Sequence, residues 1–385
     1  MKIAGVIAEF NPFHNGHKYL IDKVKKEYAD ALVVVMSGSF VQRGGIALTD
    51  KWTRSRAAIM GGADLVLELP AVFAMNTAQR FATGAVEILN ASGVVDFIAF
   101  GSESGNVDLI WRAAEVVSEE PPEVSEKIKF YSASGINYPA ARKMAFEEAA
   151  GIVIPDSPND ILALEYLRAL RDTSSDMYAK AIVRKGTDHD SDTVSENIAS
   201  ASEIRRRIQM GESASDFVPD YDFHVYRSDV LDAALIGKIR ECGAEYIAGI
   251  NDISEGLENR FIKGAYECST VDELCEFVKS KRYTLSRIRR AAWSILLGFG
   301  KELCMQNPGY IRVLAMNKTG RDILKKMKSV SELPVVVKAA DYENAKTDDI
   351  FKANVRAEDW FSLCAPDKKL KRGGRDITVS PVIIN

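Results

Sequence analysis

The feature that most constrains the fold is an alternation of short apolar runs with amphipathic stretches in the first half of the chain. A continuous apolar run rich in β-branched residues lies at positions 31–36, a further predicted strand lies at 64–69, and a stretch with helical periodicity follows each of them. We predict further strands at 2–8, 94–100 and 177–184. Strands that are apolar on both faces are typical of a parallel sheet covered by helices, and consecutive parallel strands are joined by right-handed crossovers. The sequence therefore predicts an α/β fold with a Rossmann-like parallel sheet.

The turn after the first predicted strand is the strongest candidate for a functional site. It reads Asn-Pro-Phe-His-Asn-Gly-His at positions 11–17 and leads into a helix predicted over 15–28. His14 and His17 are three residues apart, so both rings lie near one face of the helix start, where free N–H groups and the helix dipole attract anions. Gly16 leaves room for a flat ligand such as a purine. Two histidines that only cap a surface helix are the simpler interpretation, but the preceding strand and the presence of only four histidines in the chain favour a nucleotide site.

A second segment has the features of a phosphate site. Ser200-Ala-Ser-Glu-Ile-Arg opens a short predicted helix, after a polar stretch at 186–195 that we predict to be a loop. The hydroxyl of Ser202 lies at the helix start, where free N–H groups favour phosphate, and Arg205 follows one turn later. The alternative is an ordinary N-capped basic helix.

Further candidates stand at the ends of predicted strands, where ligands of parallel sheets bind. Gly101 ends the fourth strand, and Arg184 and Lys185 end the fifth. Asn159 precedes a predicted helix, with Asp160 as its expected cap. We expect these positions to contact the base or the ribose of a nucleotide.

These residue types suit nucleotidyl transfer at an α-phosphate, which depends on positioning and on the stabilisation of developing charge. We expect His14, His17 and Arg205 to supply the catalytic donors. A divalent cation, Mg²⁺, is expected to bridge phosphate oxygens. The sequence has no convincing carboxylate pair, so we predict no protein ligand for the metal.

The glycine-rich loop at 38–50 follows the second strand. With Gln42, Arg43 and the adjacent Lys51, it is a candidate for holding the acceptor or the leaving pyrophosphate. Ordinary surface charge on a loop is the alternative.

Composition argues against a protein that is basic overall, stabilised by disulfides or zinc, or embedded in a membrane. The 385 residues include 50 Lys and Arg against 54 Asp and Glu, a net charge of −4, so any surface that binds nucleic acid is local. Five cysteines, an odd number with no Cys-x-x-Cys pair, argue against a disulfide framework and a zinc site and predict a cytoplasmic location. No apolar run approaches the ~20 residues that span a bilayer, so no association with a membrane is expected.

The strand alternation stops near residue 215. We predict a nucleotide-binding catalytic domain over 1–215 and a mainly helical domain over 216–385, with one short strand near 333–337. A basic segment at 279–290 contains no acidic residue, and a second cluster lies at 368–375. Either cluster could be a solvated helix face, but the two together on one domain favour RNA. The predicted RNA contacts are Lys279, Lys281, Arg282, Arg287 and Arg290.

Several of these motifs are similar to those of known families. The two phosphate segments resemble the HxGH and Ser-x-Thr/Ser-x-Ile-Arg signatures of the adenylyl- and cytidylyltransferase superfamily; Ser200, Ser202, Ile204 and Arg205 fall on the second signature. Four longer stretches resemble tRNA(Met) cytidine acetate ligases over nearly the whole chain: Ala-Glu-Phe-Asn-Pro-Phe-His-Asn-Gly-His, Ser-Gly-Ser-Phe-Val-Gln-Arg-Gly, Gly-Ala-Asp-Leu-Val-Leu-Glu-Leu-Pro and Lys-Arg-Tyr-Thr-Leu-Ser-Arg-Ile.

This resemblance implies a two-step reaction. ATP would adenylate acetate to acetyl-AMP, and the wobble cytidine of elongator tRNA(Met) would then accept the acetyl group as N4-acetylcytidine. It also implies ATP contacts at Gly101, Asn159 and Arg184, although the chain has Asn-Asp at 159–160 where the family pattern is expected to have Asn-Asn. The first turn would supply the other ATP contacts: Ile7, Ala8, Glu9, Phe10, Asn11, Pro12, Phe13, His14, Asn15, Gly16, His17, Lys18, Tyr19 and Leu20.

Two alternative functions stay open at this point. The chain could join AMP to a phosphorylated small molecule, although enzymes of that kind are often shorter and lack a basic carboxyl-terminal domain. It could also be an RNA-binding protein without catalytic activity, against which the intact histidine and arginine motifs argue.

Overall fold

The structure is a computed structural model, and it describes residues 1–184, 197–219, 222–254 and 256–385. The described strands form one sheet in the order β5-β4-β1-β2-β3-β6-β7, and β8 also pairs with β6. The strands are β1 (Ile3–Ala8), β2 (Ala31–Ser37), β3 (Leu65–Leu69), β4 (Phe97–Ser102), β5 (Tyr178–Val183), β6 (Ile311–Met316), β7 (Val335–Val336) and β8 (Val382–Ile383).

The first five strands are parallel and carry the predicted alternation with helices. Helices of the amino-terminal half are α1 (Asn15–Glu27), α2 (Lys51–Met60), α3 (Ala71–Ala74), α4 (Ala78–Ala91), α5 (Val107–Glu119), α6 (Pro122–Ala133), α7 (Tyr138–Ala150), α8 (Pro158–Asp172) and α9 (Ala201–Gln209). The prediction of an α/β fold with a Rossmann-like sheet is confirmed.

The carboxyl-terminal part is mainly helical. Its helices are α10 (Asp232–Glu241), α11 (Ala244–Ala248), α12 (Leu257–Glu267), α13 (Val271–Val278), α14 (Leu285–Leu297), α15 (Lys301–Met305), α16 (Lys318–Val330), α17 (Asp349–Ser362) and α18 (Arg375–Thr378).

The sequence interpretation predicted one strand in this half, near β7, and missed two others, the short β8 and the longer β6. It pairs with β3 in the antiparallel direction, and all six of its residues are buried. An apolar run of this length cannot be assigned by periodicity alone, because a buried helix segment has the same pattern. The sheet that begins in the amino-terminal half therefore continues into residues after 215.

The core lies on both faces of the sheet. On one face, Ile21 and Val24 of α1 pack with Val34 of β2; on the other, Val33 and Val35 of the same strand pack with residues of α4, α5 and α8. Every residue of β2 is buried. Burial of one such side chain contributes about 1.5–3 kcal/mol, so this central strand fixes the position of the turns at its carboxyl end.

Candidate active site

The two histidines of the first turn stack on each other at the start of α1. Their ring centroids are 3.7 Å apart, and the ring of Phe10 meets His17 edge-on at 4.8 Å. His14 is the N-cap residue: its side chain accepts a hydrogen bond from the N–H of Gly16, and His17 accepts one from the N–H of His14. The turn thus fixes both rings through backbone donors.

Both rings are neutral at pH 7. Burial, together with the charges of Arg184 and Arg205, lowers the pKa of His14 to about 4. Burial and the adjacent His14 ring lower the pKa of His17 well below its ordinary value. Because Nδ1 of each ring accepts a backbone N–H, the single proton of each neutral imidazole is on Nε2. Both Nε2–H groups are therefore hydrogen-bond donors of the kind that binds phosphate oxygens.

Arg205 joins the second motif to the first. Its Nη1 donates to the carbonyl oxygen of Asn11 at 2.6 Å, and its Nη2 donates to Oγ of Ser202 at 3.1 Å. Burial lowers its pKa, although a guanidinium remains charged at neutral pH. The side chain of Asn15 adds a second link, because it donates to the carbonyl oxygens of Asn197 and Asp216. The structure therefore places the two sequence motifs in one cleft.

Gly16 is required for this packing. A Cβ atom there would lie 2.9 Å from Cε1 of His14 and 3.7 Å from the side chain of Ile198. The first distance is shorter than a carbon–carbon contact allows, so a larger residue would displace the His14 ring.

The other residues of the first turn have different surroundings. Phe10, Pro12 and Phe13 are buried, whereas Lys18 is exposed and pairs with Asp22 at 2.8 Å. Ile7, Ala8, Glu9, Tyr19 and Leu20 are half-buried.

The ends of β4, β5 and α8 meet beside the histidine turn. A Cβ atom on Gly101 would lie 3.4 Å from Cγ of Arg184, so the arginine stem covers this strand end. The side-chain amide of Asn159 donates to the carboxylate of Glu103, and that carboxylate also accepts the N–H of Asp160 at 3.2 Å. Lys185 and the predicted loop at 186–195 lie outside the described residues.

The expected cap role of Asp160 is wrong, because Ser157 is the N-cap residue of α8. The buried carboxylate of Asp160 instead accepts hydrogen bonds from the Ser102 hydroxyl and from the N–H groups of Glu103 and Ser104. Burial would raise the pKa of Asp160, but these hydrogen bonds lower it overall. Of the two adjacent positions, Asn159 is the half-buried one.

Arg54 is a structural residue of the site that sequence reasoning missed. It is fully buried in α2 and donates to the carbonyl oxygens of Glu9, Ser37, Gly38 and Thr49. These carbonyl groups belong to the turns after β1 and β2, so one side chain holds both strand ends. Neighbouring residues in the sequence do not indicate that an arginine is buried, and its hydrogen-bond partners can be identified only once the fold is known.

The loop at 38–50 reaches the cleft at Gln42 and Arg43. The N–H of Gln42 donates to the carboxylate of Glu9 at 2.7 Å, and the charge of Arg43 contributes to the lowered pKa of Arg205. The suggested role of Lys51 in holding the acceptor is wrong. Lys51 is buried and pairs with Glu68 at 2.6 Å and Asp376 at 2.8 Å.

The basic segment at 279–290 divides into an exposed part and a packed part. Lys279, Lys281 and Arg282 are exposed. Arg290 is buried against Asp252 at 2.7 Å, and Arg287 donates to the carbonyl oxygen of Asp252 and to Ser254. The prediction that Arg287 and Arg290 belong to an open phosphate-binding surface therefore does not agree with their positions.

Two further features concern metals and membranes. Among the residues that the structure describes, no group of three or more His, Cys, Asp or Glu side chains is arranged to hold a metal ion. Within the same ranges, each helix is too short or too polar to cross a membrane.

Comparisons with known proteins agree with this geometry. A family model described as HIGH Nucleotidyl Transferase matches residues 1–376. Proteins named tRNA(Met) cytidine acetate ligase from Clostridium perfringens and Acetivibrio thermocellus are each 36% identical to the chain, with 100% of both sequences covered. The crystal structure of Thermotoga maritima TmcAL bound with alpha-thio ATP matches with a TM-score of 0.89 and 31% identity, again over 100% of both chains. The resemblance seen in the sequence is thus confirmed: the chain belongs to the HIGH nucleotidyl transferase family, together with proteins named tRNA(Met) cytidine acetate ligase.

Proposed function

We propose that this protein acetylates the wobble cytidine of elongator tRNA(Met), using acetate and ATP through an acetyl-AMP intermediate. The observation that carries the proposal is the cleft in which two neutral histidines and Arg205 meet at the ends of parallel strands. The names of full-length relatives support the same activity.

In the first step, an acetate oxygen attacks the α-phosphorus of ATP. A bond forms between that oxygen and phosphorus, and the bond to the bridging oxygen of the β-phosphate breaks, so that pyrophosphate leaves. The Nε2–H groups of His14 and His17 donate to phosphate oxygens whose charge grows in the transition state. Because backbone donors already fix both rings, little reorganisation accompanies the reaction.

Arg205 has a positioning role in this scheme as well as a charge. Its contacts with Asn11 and Ser202 hold α9 against the histidine turn, and its positive charge favours a bound triphosphate. The N–H groups that open α9 add donors on the same side.

The nucleoside half of ATP is assigned to the neighbouring strand ends. Gly101 and Arg184 stand at the ends of β4 and β5 with the Arg184 stem against Gly101, and Asn159 lies at the start of α8; strand ends of this kind bind the ligands of parallel sheets. Lys185 follows directly in the chain and is proposed to contact the nucleotide on the sequence evidence alone.

Mg²⁺ would add charge neutralisation at the phosphates. The residues of the cleft do not fit a protein-held cation, because its polar groups are mainly imidazole and guanidinium donors. We therefore assign the protein no metal ligand.

In the second step, the exocyclic amine of cytidine attacks the acetyl carbonyl, and AMP leaves. Acetate offers little binding surface, so selection of the substrate depends on the RNA. The exposed residues Lys279, Lys281 and Arg282 are proposed to contact tRNA phosphates. The loop at 38–50 connects this segment to the cleft, because Gly44 packs against the backbone of Arg289 and Arg290.

Two assays on the purified protein test the proposal. Exchange of labelled pyrophosphate into ATP is expected only when acetate is present, and it requires no tRNA. With unmodified tRNA(Met), nucleoside analysis is expected to detect N4-acetylcytidine. Exchange that needs a phosphorylated metabolite instead of acetate would overturn the acetate assignment, and absence of exchange with every carboxylate would overturn adenylation.

A further inference from the structure

An open cleft of about 670 Å³ lies between α10, α14 and α17, in the helical part of the molecule. Its lining includes two aromatic side chains, Tyr246 and Trp360, and two cations, Lys238 and Arg356. Tyr246 is 42% exposed and Trp360 is half-buried. The volume is within the range of clefts that bind small organic groups, about 300–1,000 Å³.

The cations are held beside the aromatic rings by contacts within the cleft. Nζ of Lys238 lies 5.7 Å from the ring centroid of Tyr246. Nε of Arg356 donates to the carbonyl oxygen of Leu297 at the end of α14, at 2.7 Å. Lys238 also pairs with Glu241 at 3.4 Å, but both side chains reach solvent and such a pair contributes little.

Gly298 forms the floor of the cleft. It ends α14 with a φ of 68°, and a Cβ atom there would lie 3.5 Å from Oη of Tyr246 and 3.8 Å from Nη2 of Arg356. The absence of a side chain at Gly298 therefore lets the Tyr246 hydroxyl and the Arg356 guanidinium approach the backbone at the end of α14.

We propose that this cleft binds an unstacked nucleobase and its adjoining phosphate from a single-stranded RNA loop. Tyr246 and Trp360 supply the stacking surfaces, and Lys238 and Arg356 supply charge for the phosphate. Single-stranded RNA is recognised by this combination of aromatic faces and cations. The inference rests on the proposed function, because it takes the RNA to be the tRNA substrate.

The location supports RNA over a protein partner. The cleft is at the carboxyl end of α14, and the exposed side chains of Lys279, Lys281 and Arg282 precede the amino end of the same helix. Thirteen residues of α-helix extend about 20 Å, a distance that one folded RNA loop can bridge. The two surfaces would then hold the same RNA at two points.

The test uses the full chain and unmodified tRNA(Met) transcript. Tyr246→Ala is expected to weaken tRNA binding about tenfold, the effect of losing one stacked base, whereas Tyr246→Phe retains the ring and the affinity. Arg356→Gln is expected to weaken binding and to reduce the salt dependence by about one phosphate contact. Tyr138→Ala is the matched control, since Tyr138 is an exposed tyrosine of α7 and lies outside the cleft.

Acetate-dependent pyrophosphate exchange separates failure of this inference from failure of the proposed function. The cleft variants are expected to retain wild-type exchange, which also demonstrates that they fold. Wild-type tRNA affinity in both Tyr246→Ala and Arg356→Gln would overturn the inference and leave the activity assigned. Altered self-association with unchanged tRNA affinity would identify a protein-binding surface instead. If the wild-type protein showed no acetate-dependent pyrophosphate exchange, the proposed function would be in error. The tRNA affinities of the variants would still show whether the cleft binds RNA.

Discussion

Two groups of nitrogen donors in this molecule differ in the partners that hold them. In the candidate active site, His14, His17 and Arg205 are fixed by backbone groups and a hydroxyl. In the packed carboxyl-terminal part, Arg290 is fixed by the carboxylate of Asp252. A donor held by the backbone keeps its capacity for an anionic ligand, whereas a cation buried beside a carboxylate is already neutralised. The partner, more than the residue type, therefore indicates which basic side chains can bind phosphate.

Lys51 is the extreme case of the second group, and its replacement is expected to have the largest effect. Burial alone would lower its pKa, but the charges of Asp376 and Glu68 raise it overall. Lys51→Met would leave Glu68 buried without its Lys51 partner and Asp376 paired with Arg312 alone, at a cost of about 3–5 kcal/mol in the free energy of unfolding. Denaturant unfolding measures the loss. Lys127→Met, which breaks an exposed pair with Glu148, is the control and should cost less than about 1 kcal/mol.

His17 tests the first group. His17→Ala removes one Nε2–H donor, and acetate-dependent pyrophosphate exchange is expected to fall about 10²–10³-fold, as for other donors aimed at a transition state. Affinity for tRNA should stay near the wild-type value. His224→Ala provides the matched control, because His224 is exposed. Full exchange activity in His17→Ala would mean that the ring has only a structural role. The backbone-held donors would then not be distinguished by their capacity to bind phosphate.

The pH dependence of stability sharpens the same comparison. The folded-state pKa of His14, about 4, lies below its ordinary value of 6.5. Between these values the unfolded chain binds more protons at this position, so the contribution of His14 to the free energy of unfolding falls as the pH drops from 6.5 towards 4, by about 3 kcal/mol in total. His14→Asn retains a helix cap without the titration, and its stability should vary less across this window. Denaturant unfolding at several pH values measures the difference. If the free energy of unfolding changed equally with pH in both proteins, His14 would not be buried in its neutral form.

Replacement of exposed cations should have the smallest effect. The triple variant Lys279→Ala, Lys281→Ala, Arg282→Ala is expected to weaken tRNA binding about tenfold and to flatten its salt dependence, because up to three phosphate contacts are lost. Binding measured at several salt concentrations provides the check. Arg290→Met serves for comparison: it should lower stability through the unpaired Asp252 and leave the salt slope unchanged. If Arg290→Met reduced the salt dependence of tRNA binding more than the triple variant did, the assignment of the exposed cations as the RNA contacts would be wrong.

What could be predicted from the sequence was local. The strand, the turn and the histidine pair are contiguous, and Pro12 and Gly16 mark the turn, so the geometry of this segment follows from neighbours in the chain. The same holds for Arg205, which lies one turn into a helix opened by Ser200 and Ser202.

What could not be predicted depended on distant partners. Arg290 belongs to a basic run in the sequence, but its charge is matched by Asp252, 38 residues away. Lys51 pairs with Asp376, which is 325 residues away. Charge counting cannot reveal these pairs, because burial and pairing are set by the folded chain. The role of Arg54 was missed for the same reason.

The antiparallel pairing of β6 with β3 has a practical consequence for anyone who wishes to study the two halves separately. A fragment that ends near residue 215 lacks β6 and leaves the hydrogen-bonding edge of Leu65–Leu69 open, along a strand whose five residues are all buried in the intact chain. An open apolar edge of this kind invites pairing with other molecules and aggregation. Independent production of the amino-terminal half would require a fragment that also carries Ile311–Met316, for example through circular permutation.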